Sequence, residues 1–113
     1  MHEAGIIYNV LKVAEETARK QNGQKILKLY LRVGSMSGVI PEALQFAFEA
    51  MRTDTMAKEA QLKIENVSAS CWCEDCKIEY VPDELGFLCP KCGGGNIKLQ
   101  KGRELELVSI DYC

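Results

Sequence analysis

The chain has 113 residues and a formal net charge of −2, and its composition is 47% hydrophobic and 27% charged. A chain of this length supports one small domain with a compact module attached, and its apolar fraction excludes intrinsic disorder. The slightly acidic balance argues against nucleic-acid binding, which requires a basic surface, and no apolar run is long enough to span a membrane. Six cysteines without a recognisable export signal favour the reducing cytoplasm.

The first third of the chain predicts a helix followed by a strand. Apolar residues recur at helical spacing from the start, and Asn22-Gly23 predicts the end of this helix. The residues expected on its buried stripe are Ile7, Val10, Leu11, Ala14 and Ala18. Alternation from Lys25 to Val33 then predicts a strand with one buried face. The residues expected on that face are Leu27, Leu29, Leu31 and Val33.

A second helix and two more strands are predicted further along. Pro41 is placed as the first residue of the helix, where its missing N–H is not needed. Alternation through Leu62 and Ile64 to about Val67 predicts the second strand. The last strand, Glu104 to Tyr112, changes its hydrophobic phase part-way, so it either contains a bulge or is buried on both faces. The apolar stripe of the second helix comprises Leu44, Ala47, Phe48 and Met51.

Between the second and last strands lie two Cys-x-x-Cys pairs, Cys73 with Cys76 and Cys89 with Cys92, separated by twelve residues. This spacing is typical of a four-cysteine zinc site, in which two short turns face each other and form a tetrahedron of thiolates. Two disulfides or an iron ion held by four thiolates are the alternatives. Cys71 is a fifth thiol, and the regular spacing favours Cys73 over it as a ligand.

The predicted fold is therefore α+β, with two helices packed on a small three-stranded sheet and an inserted four-cysteine, zinc-ribbon-like module. The module has short strands predicted at residues 79–81 and 96–100, and Lys101-Gly102 is predicted to be a turn or hinge. We assign residues 1–69 and 102–113 to the α+β domain and residues 70–101 to the zinc-binding module. Four sulfurs leave no open position on a zinc ion, so this site is expected to be structural.

The amino terminus carries a second set of potential metal ligands. The α-amine of Met1 and the amide and imidazole nitrogens of His2 can close two fused chelate rings, and the amide of Glu3 can supply a fourth nitrogen. A near-planar set of nitrogens suits Ni(II) or Cu(II) better than zinc. The simpler interpretation is that Glu3 only complements the dipole of the first helix.

The terminal Met1-His2-Glu3 motif, residues 41–48 (PEALQFAF) and the paired cysteine motifs together resemble the HypA family of nickel chaperones. The resemblance covers the whole chain in the same order. It implies transferable nickel on the terminal residues with His2 as the key ligand, and a structural zinc at the four paired cysteines. It also implies nickel transfer to a NiFe-hydrogenase large-subunit precursor with the help of the GTPase HypB, and in some organisms a role with urease maturation proteins.

Other classes of function remain as alternatives to a metallochaperone. The sequence also fits a zinc-ribbon module that binds nucleic acid or a protein partner, although the balanced charge of the ribbon disfavours nucleic acid. An enzyme is not expected, because His2 is the chain's single histidine and the zinc has no open position. The oligomeric state is either a monomer or a homodimer.

Overall fold

The computed structural model describes residues 3–82 and 88–113. Within these ranges the chain forms two α-helices and six β-strands, and the predicted α+β class is confirmed. No helix in the described part of the chain combines the length and hydropathy needed to cross a bilayer. The elements are α1 (Glu3–Lys20), β1 (Ile26–Gly34), α2 (Pro41–Met51), β2 (Gln61–Val67), β3 (Ser70–Cys73), β4 (Ile78–Tyr80), β5 (Ile97–Lys101) and β6 (Leu105–Tyr112).

The strands form two separate three-stranded sheets. In the first sheet, β1 lies in the centre between β2 and β6. β1 and β2 are parallel and are connected through α2, whereas β6 runs antiparallel to β1. The second sheet has the order β4-β3-β5, and all of its strands lie between β2 and β6 in the chain. The cysteine-containing segment is therefore inserted between the second and last strands of the main sheet, as predicted.

Both helices bury their predicted apolar stripes in one core shared with β1. Val10 and Met51, at the edge of the two stripes, are only partly buried. Complete burial of a large side chain in this core stabilises the fold. Truncating a buried leucine or phenylalanine to alanine typically lowers the free energy of unfolding by about 2–5 kcal/mol. The fully buried residues of this core include Ile7, Ala14, Ala18, Ile26, Leu29, Leu44 and Phe48.

Leu27 was predicted to lie on the buried face of β1, and this prediction is wrong. Its side chain is 40% exposed, whereas the neighbouring Ile26 is completely buried. Ile26 pairs with Tyr112 and Lys28 with Asp111, so Leu27 is an extra residue opposite β6. Such a bulge reverses the direction of the side chains on one side of it. Because the bulge depends on the partner strand, alternation within β1 alone does not reveal it.

A second bulge explains the change of phase in β6. Tyr30 pairs with Ser109 and Leu31 with Leu107, so Val108 has no partner in β1. Val108 is 47% exposed, whereas Leu107 on one side of it and Ile110 on the other both pack against the core. Of the two interpretations of the sequence, the bulge is correct and burial on both faces is wrong.

The predicted stop of α1 at Asn22-Gly23 is confirmed and has a defined geometry. Asn22 adopts a left-handed conformation with φ of 59°. Its N–H donates to the carbonyl of Arg19 at 3.0 Å, and the N–H of Gly23 donates to the carbonyl of Ala18 at 2.7 Å. These two hydrogen bonds form a Schellman motif, which satisfies carbonyl groups that the end of a helix leaves without partners.

The second sheet contains one strand that the sequence analysis missed. The predicted strands at residues 79–81 and 96–100 are present as β4 and β5, each displaced by one residue, but β3 was not predicted. In β3, Cys71 and Cys73 are both buried and flank the half-buried Trp72. This alternation is a strand signal. Unbonded cysteine packs as a small hydrophobic residue, so a cysteine near a metal-binding motif can also belong to the buried face of a strand.

The two sheets are joined by close backbone packing around Gly34 and Gly102. The N–H of Gly34 donates to the carbonyl of Glu104 at 2.7 Å, and the N–H of Met36 donates to the carbonyl of Gly102 at 2.6 Å. Gly102 is buried and has φ of 122°, which strongly favours glycine. The predicted turn at Lys101-Gly102 is therefore tied to the loop after β1. The assignment of residues 70–101 to a separate zinc-binding module stays a prediction.

Substitution of Gly34 with alanine is expected to destabilise this joint. The added Cβ would lie 2.1 Å from the carbonyl oxygen of Gly102, so the backbone itself would have to move. Overpacking of this kind costs about 1–3 kcal/mol of the free energy of unfolding, which urea denaturation measures. Gly5→Ala is the control, because among the described residues no atom outside its chain neighbours and the backbone of α1 lies within 4 Å of its Cβ position. Equal stability of Gly34→Ala and the unchanged protein would contradict this account of the joint.

Candidate metal centre

The first pair of cysteines lies in a tight turn at the end of β3. The carbonyl of Cys73, the last residue of the strand, accepts a hydrogen bond from the N–H of Lys77 at 2.8 Å. Lys77 has φ of 56°, an uncommon conformation for a residue with a side chain, and it closes the turn. The N–H of Cys76 points at the Sγ of Cys73 at 3.4 Å. The turn thus holds both thiols on its inner side.

The second pair of cysteines repeats the same turn. The N–H of Gly93 donates to the carbonyl of Cys89 at 2.8 Å, and the N–H of Lys91 points at the Sγ of Cys89 at 3.4 Å. Gly93 occupies the position that Lys77 occupies in the first turn. Its φ of 68° lies in the left-handed region, which glycine adopts without steric cost.

The two turns face each other and bring the four sulfurs together. The Sγ atoms of Cys73 and Cys92 are 3.7 Å apart, and those of Cys76 and Cys89 are 3.9 Å apart. All four lie within 4.8 Å of one another. A tetrahedral zinc ion with Zn–S bonds of about 2.3 Å requires sulfurs separated by about 3.8 Å. Each of these two distances separates cysteines of different turns, and both far exceed the length of a disulfide bond, about 2.05 Å. The cluster therefore fits a metal ion.

Backbone N–H groups around the cluster favour the thiolate form of Cys89. The N–H groups of Cys92 and Lys91 lower the pKa of the Cys89 thiol to about 7. In contrast, the hydrogen bond with Cys92 is the main cause that raises the pKa of Cys76 to about 12. The metal-free cluster therefore retains protons that a dication has to displace, because only thiolates ligate. Metal binding should release protons and weaken in acid.

The arrangement suits a structural metal rather than a catalytic one. Cys73 and Cys89 are 0% and 2% exposed, so half of the ligand set lies inside the protein. Four thiolates complete a tetrahedral shell and leave no position for water or a substrate. The cluster can therefore stabilise the second sheet, in which the metal would connect the end of β3 to the turn before β5.

The other two cysteines lie outside the cluster. Cys71 is completely buried in β3, opposite Tyr80 of β4, and Cys113 is exposed at the end of the chain. Within residues 3–82 and 88–113, no second group of three or more potential metal ligands was found. The geometry thus agrees with the choice of Cys73 over Cys71. Zinc binding by the four clustered cysteines remains a proposal.

The predicted nickel ligands lie largely outside the part of the chain that the structure describes. Met1 and His2 are not among the described residues. Glu3 is described, and it is the first residue of α1 with a partly buried side chain. The amino-terminal ligand set therefore stays a prediction here.

The whole length of the chain matches proteins of known classification. A family model described as "Hydrogenase/urease nickel incorporation, metallochaperone, hypA" matches residues 1–112. The chain belongs to the HypA family. Hydrogenase maturation factor HypA of Picosynechococcus sp. is 41% identical to it, covering 98% of both chains. The HypA of Aquifex aeolicus is 34% identical, covering 98% of this chain and 96% of its own.

Two solved HypA structures share the fold. The solution structure of the Ni metallochaperone HypA from Helicobacter pylori has a TM-score of 0.69 and 28% identity, covering 99% of this chain and 97% of that one. A second solution structure, of a HypA protein, has a TM-score of 0.74 and 28% identity, covering 100% and 97% of the two chains. These similarities confirm the resemblance noted in the sequence. The family is thus one of metallochaperones and hydrogenase maturation factors.

Proposed function

We propose that this HypA protein captures Ni(II) with its amino-terminal residues and delivers it for assembly of the NiFe-hydrogenase active site. The observation that carries the proposal is the match to a nickel-incorporation family from residue 1 onward. The matched region includes the terminal Met1-His2-Glu3 motif. In this role a structural zinc at the four clustered cysteines fixes the shape of the second sheet, and the terminus carries the exchangeable metal.

The start of α1 supports a nitrogen ligand set for nickel. The proposed ligands are the α-amine of Met1, the amide and imidazole nitrogens of His2, and the amide of Glu3. Because α1 begins at Glu3, amide groups at this end have no partner within the helix, and a metal can take them without breaking a helical hydrogen bond. Two deprotonated amides also neutralise the dication, which removes repulsion from the positive end of the helix dipole.

The partners we propose are those of nickel delivery. The GTPase HypB assists the transfer, and the NiFe-hydrogenase large-subunit precursor receives the metal. Urease maturation proteins are a second candidate acceptor, since the family description names both hydrogenase and urease. We place the protein in the cytoplasm, where these partners are assembled and where cysteine thiols remain reduced. The working form is a monomer or a homodimer.

A nickel titration of untagged protein with its native terminus tests the proposal. Native mass spectrometry counts nickel and zinc in the same spectra, and we expect one of each per chain. A protein that holds zinc but takes up no nickel would instead be a zinc-ribbon interaction module. This outcome would contradict the proposal and leave the geometry of the cysteine cluster unaffected.

Nickel affinity is expected to fall as the pH is lowered from mildly alkaline to mildly acidic. The α-amine and the imidazole of His2 must both lose protons before they bind, and the ordinary pKa values of such groups are about 7.7 and about 6.5. Protons therefore compete with nickel increasingly as the pH falls through this range. Calorimetric titrations at several pH values measure the effect. An affinity that does not change with pH would indicate carboxylate ligands instead.

A further inference from the structure

The four sulfurs of the candidate metal centre differ in how far solvent reaches them. Cys73 and Cys89 are buried, Cys76 is partly exposed, and Cys92 is exposed. A zinc ion keeps its thiol ligands deprotonated, and the oxidation of a cysteine follows its thiolate character and its exposure. Cys92 is therefore the ligand that a dissolved oxidant reaches first.

Glycine residues leave the sulfur of Cys92 open on its outer side. Residues 93–95 are all glycine, so no side chain of this segment covers the sulfur. A Cβ at Gly94 would lie 3.3 Å from the Sγ of Cys92, in contact with it. Gly93 has a positive φ that favours glycine, whereas Gly94 does not. The missing side chain at position 94 thus bears on access to the sulfur rather than on the conformation of the turn.

A second thiol lies on the inner side of Cys92. The Sγ of Cys73 is 3.7 Å away and belongs to the opposite turn. A disulfide bond of about 2.05 Å requires the two sulfurs to move closer by about 1.7 Å. Because Cys73 is completely buried, it is shielded from direct oxidation but placed to react with an oxidised Cys92. A bond between the two would join the end of β3 to the turn before β5, which is the connection that the metal would supply.

From this arrangement we propose that Cys92 is a site of oxidation by hydroperoxides, which convert the zinc–thiolate cluster into a disulfide between Cys73 and Cys92. The thiolate of Cys92 attacks one oxygen of hydrogen peroxide, the O–O bond breaks, and hydroxide leaves, which gives a sulfenic acid. The thiolate of Cys73 then attacks the sulfur of that acid, the S–O bond breaks, and a second hydroxide leaves. The two thiolates lose two electrons, the peroxide gains them, and two protons convert the hydroxides to water. The zinc leaves as the dication, because two of its four ligands are lost.

This inference rests on the structural zinc of the proposed function, and it makes that site responsive to oxidants. The test uses the complete, zinc-loaded chain without nickel. The zinc is counted first, a small excess of hydrogen peroxide is added, and a chromogenic chelator follows the release of zinc. The remaining thiols are then alkylated, and the chain is digested with trypsin. Cleavage after Lys77, Lys91 and Lys98 separates Cys92 from the other three cysteines of the cluster.

We expect zinc to be released and the peptide of residues 92–98 to be joined through Cys92 to Cys73 in the peptide of residues 64–77. Fragmentation of the joined peptides distinguishes Cys73 from the other two cysteines of its peptide, because those two carry the alkyl label. Addition of a thiol reductant and zinc should restore the site, since disulfide formation is reversible.

Gly94→Ala should slow the release of zinc about threefold or more, because its Cβ contacts the sulfur while all four ligands are retained. Gly95→Ala is the matched control in the same turn, because the nearest atom to its Cβ outside its chain neighbours is the Cδ2 of Leu88, at 3.9 Å. Cys113→Ser should leave the rate unchanged, because Cys113 lies outside the cluster.

Zinc retained in the presence of peroxide, a disulfide that excludes Cys92, a disulfide between Cys89 and Cys92, or equal rates in Gly94→Ala and Gly95→Ala would each overturn the proposal. A chain isolated without zinc would instead contradict the structural zinc of the proposed function, and the map of disulfides in that chain would still decide whether Cys92 pairs with Cys73. Since nickel is absent from this experiment, none of these outcomes bears on nickel capture.

Discussion

Replacing Cys73 with serine is expected to abolish zinc binding and to unfold the second sheet. The Sγ of Cys73 is one of the four clustered sulfurs, 3.7 Å from the Sγ of Cys92, and its loss leaves only three thiolates. Structural zinc contributes about 10–16 kcal/mol of apparent binding free energy, which is available only to the folded site. We therefore expect disorder in residues 70–101, while the helices and the first sheet keep their own core. Elemental analysis and amide NMR spectra measure the two effects.

Cys71→Ser is the matched control for this substitution. Cys71 lies two residues away on the same strand and is equally buried, but it does not belong to the sulfur cluster. We expect one zinc per chain and an intact second sheet in this variant. Loss of zinc in Cys71→Ser together with its retention in Cys73→Ser would show that the ligand assignment is wrong. Iron instead of zinc in the elemental analysis would contradict the identity of the metal.

Replacing His2 with alanine is expected to remove nickel binding without affecting the fold. The change deletes the imidazole and opens one of the two chelate rings, so we expect nickel affinity to fall by about 100-fold or more. The hydrophobic core begins at Ile6 and Ile7, so the zinc count and the thermal midpoint should not change. Calorimetric nickel titration and native mass spectrometry measure these quantities.

Glu3→Ala is the informative control for His2→Ala. In the proposed ligand set Glu3 contributes its amide nitrogen, which alanine retains, so nickel affinity should stay within a few-fold of the original value. A loss as large as that of His2→Ala would instead identify the carboxylate of Glu3 as a ligand. That result would contradict the all-nitrogen ligand set.

The helices and the main sheet could be predicted because each buries one face, which leaves a regular pattern in the sequence. The errors occur where the pattern depends on a partner strand. Leu27 in β1 and Val108 in β6 are both bulge residues, and each is defined only by the residues opposite it. The contact between Gly34 and Gly102 could not be predicted for the same reason, since 68 positions separate the two residues in the chain.

The cysteine cluster could be predicted from spacing alone, because two short turns of fixed geometry determine where the sulfurs lie. Cys71 does not belong to the cluster because it lies within β3, whereas Cys73 is the last residue of the strand, where the turn begins. The terminal nickel site has no comparable signal. A histidine at position 2 is too short a motif to predict a metal site by itself, and it acquired meaning only from the resemblance of the whole chain to HypA.

The measurement that tests nickel capture most directly compares the native terminus with one extended by two residues before Met1. The extension converts the α-amine into a peptide amide, but it leaves His2, the cysteine cluster and the core in place. Nickel and zinc are counted for both forms by native mass spectrometry, and nickel affinity is measured by calorimetry. We expect one zinc in both forms and nickel only in the form with the free amine. Nickel bound with undiminished affinity by the extended form would contradict the proposed site.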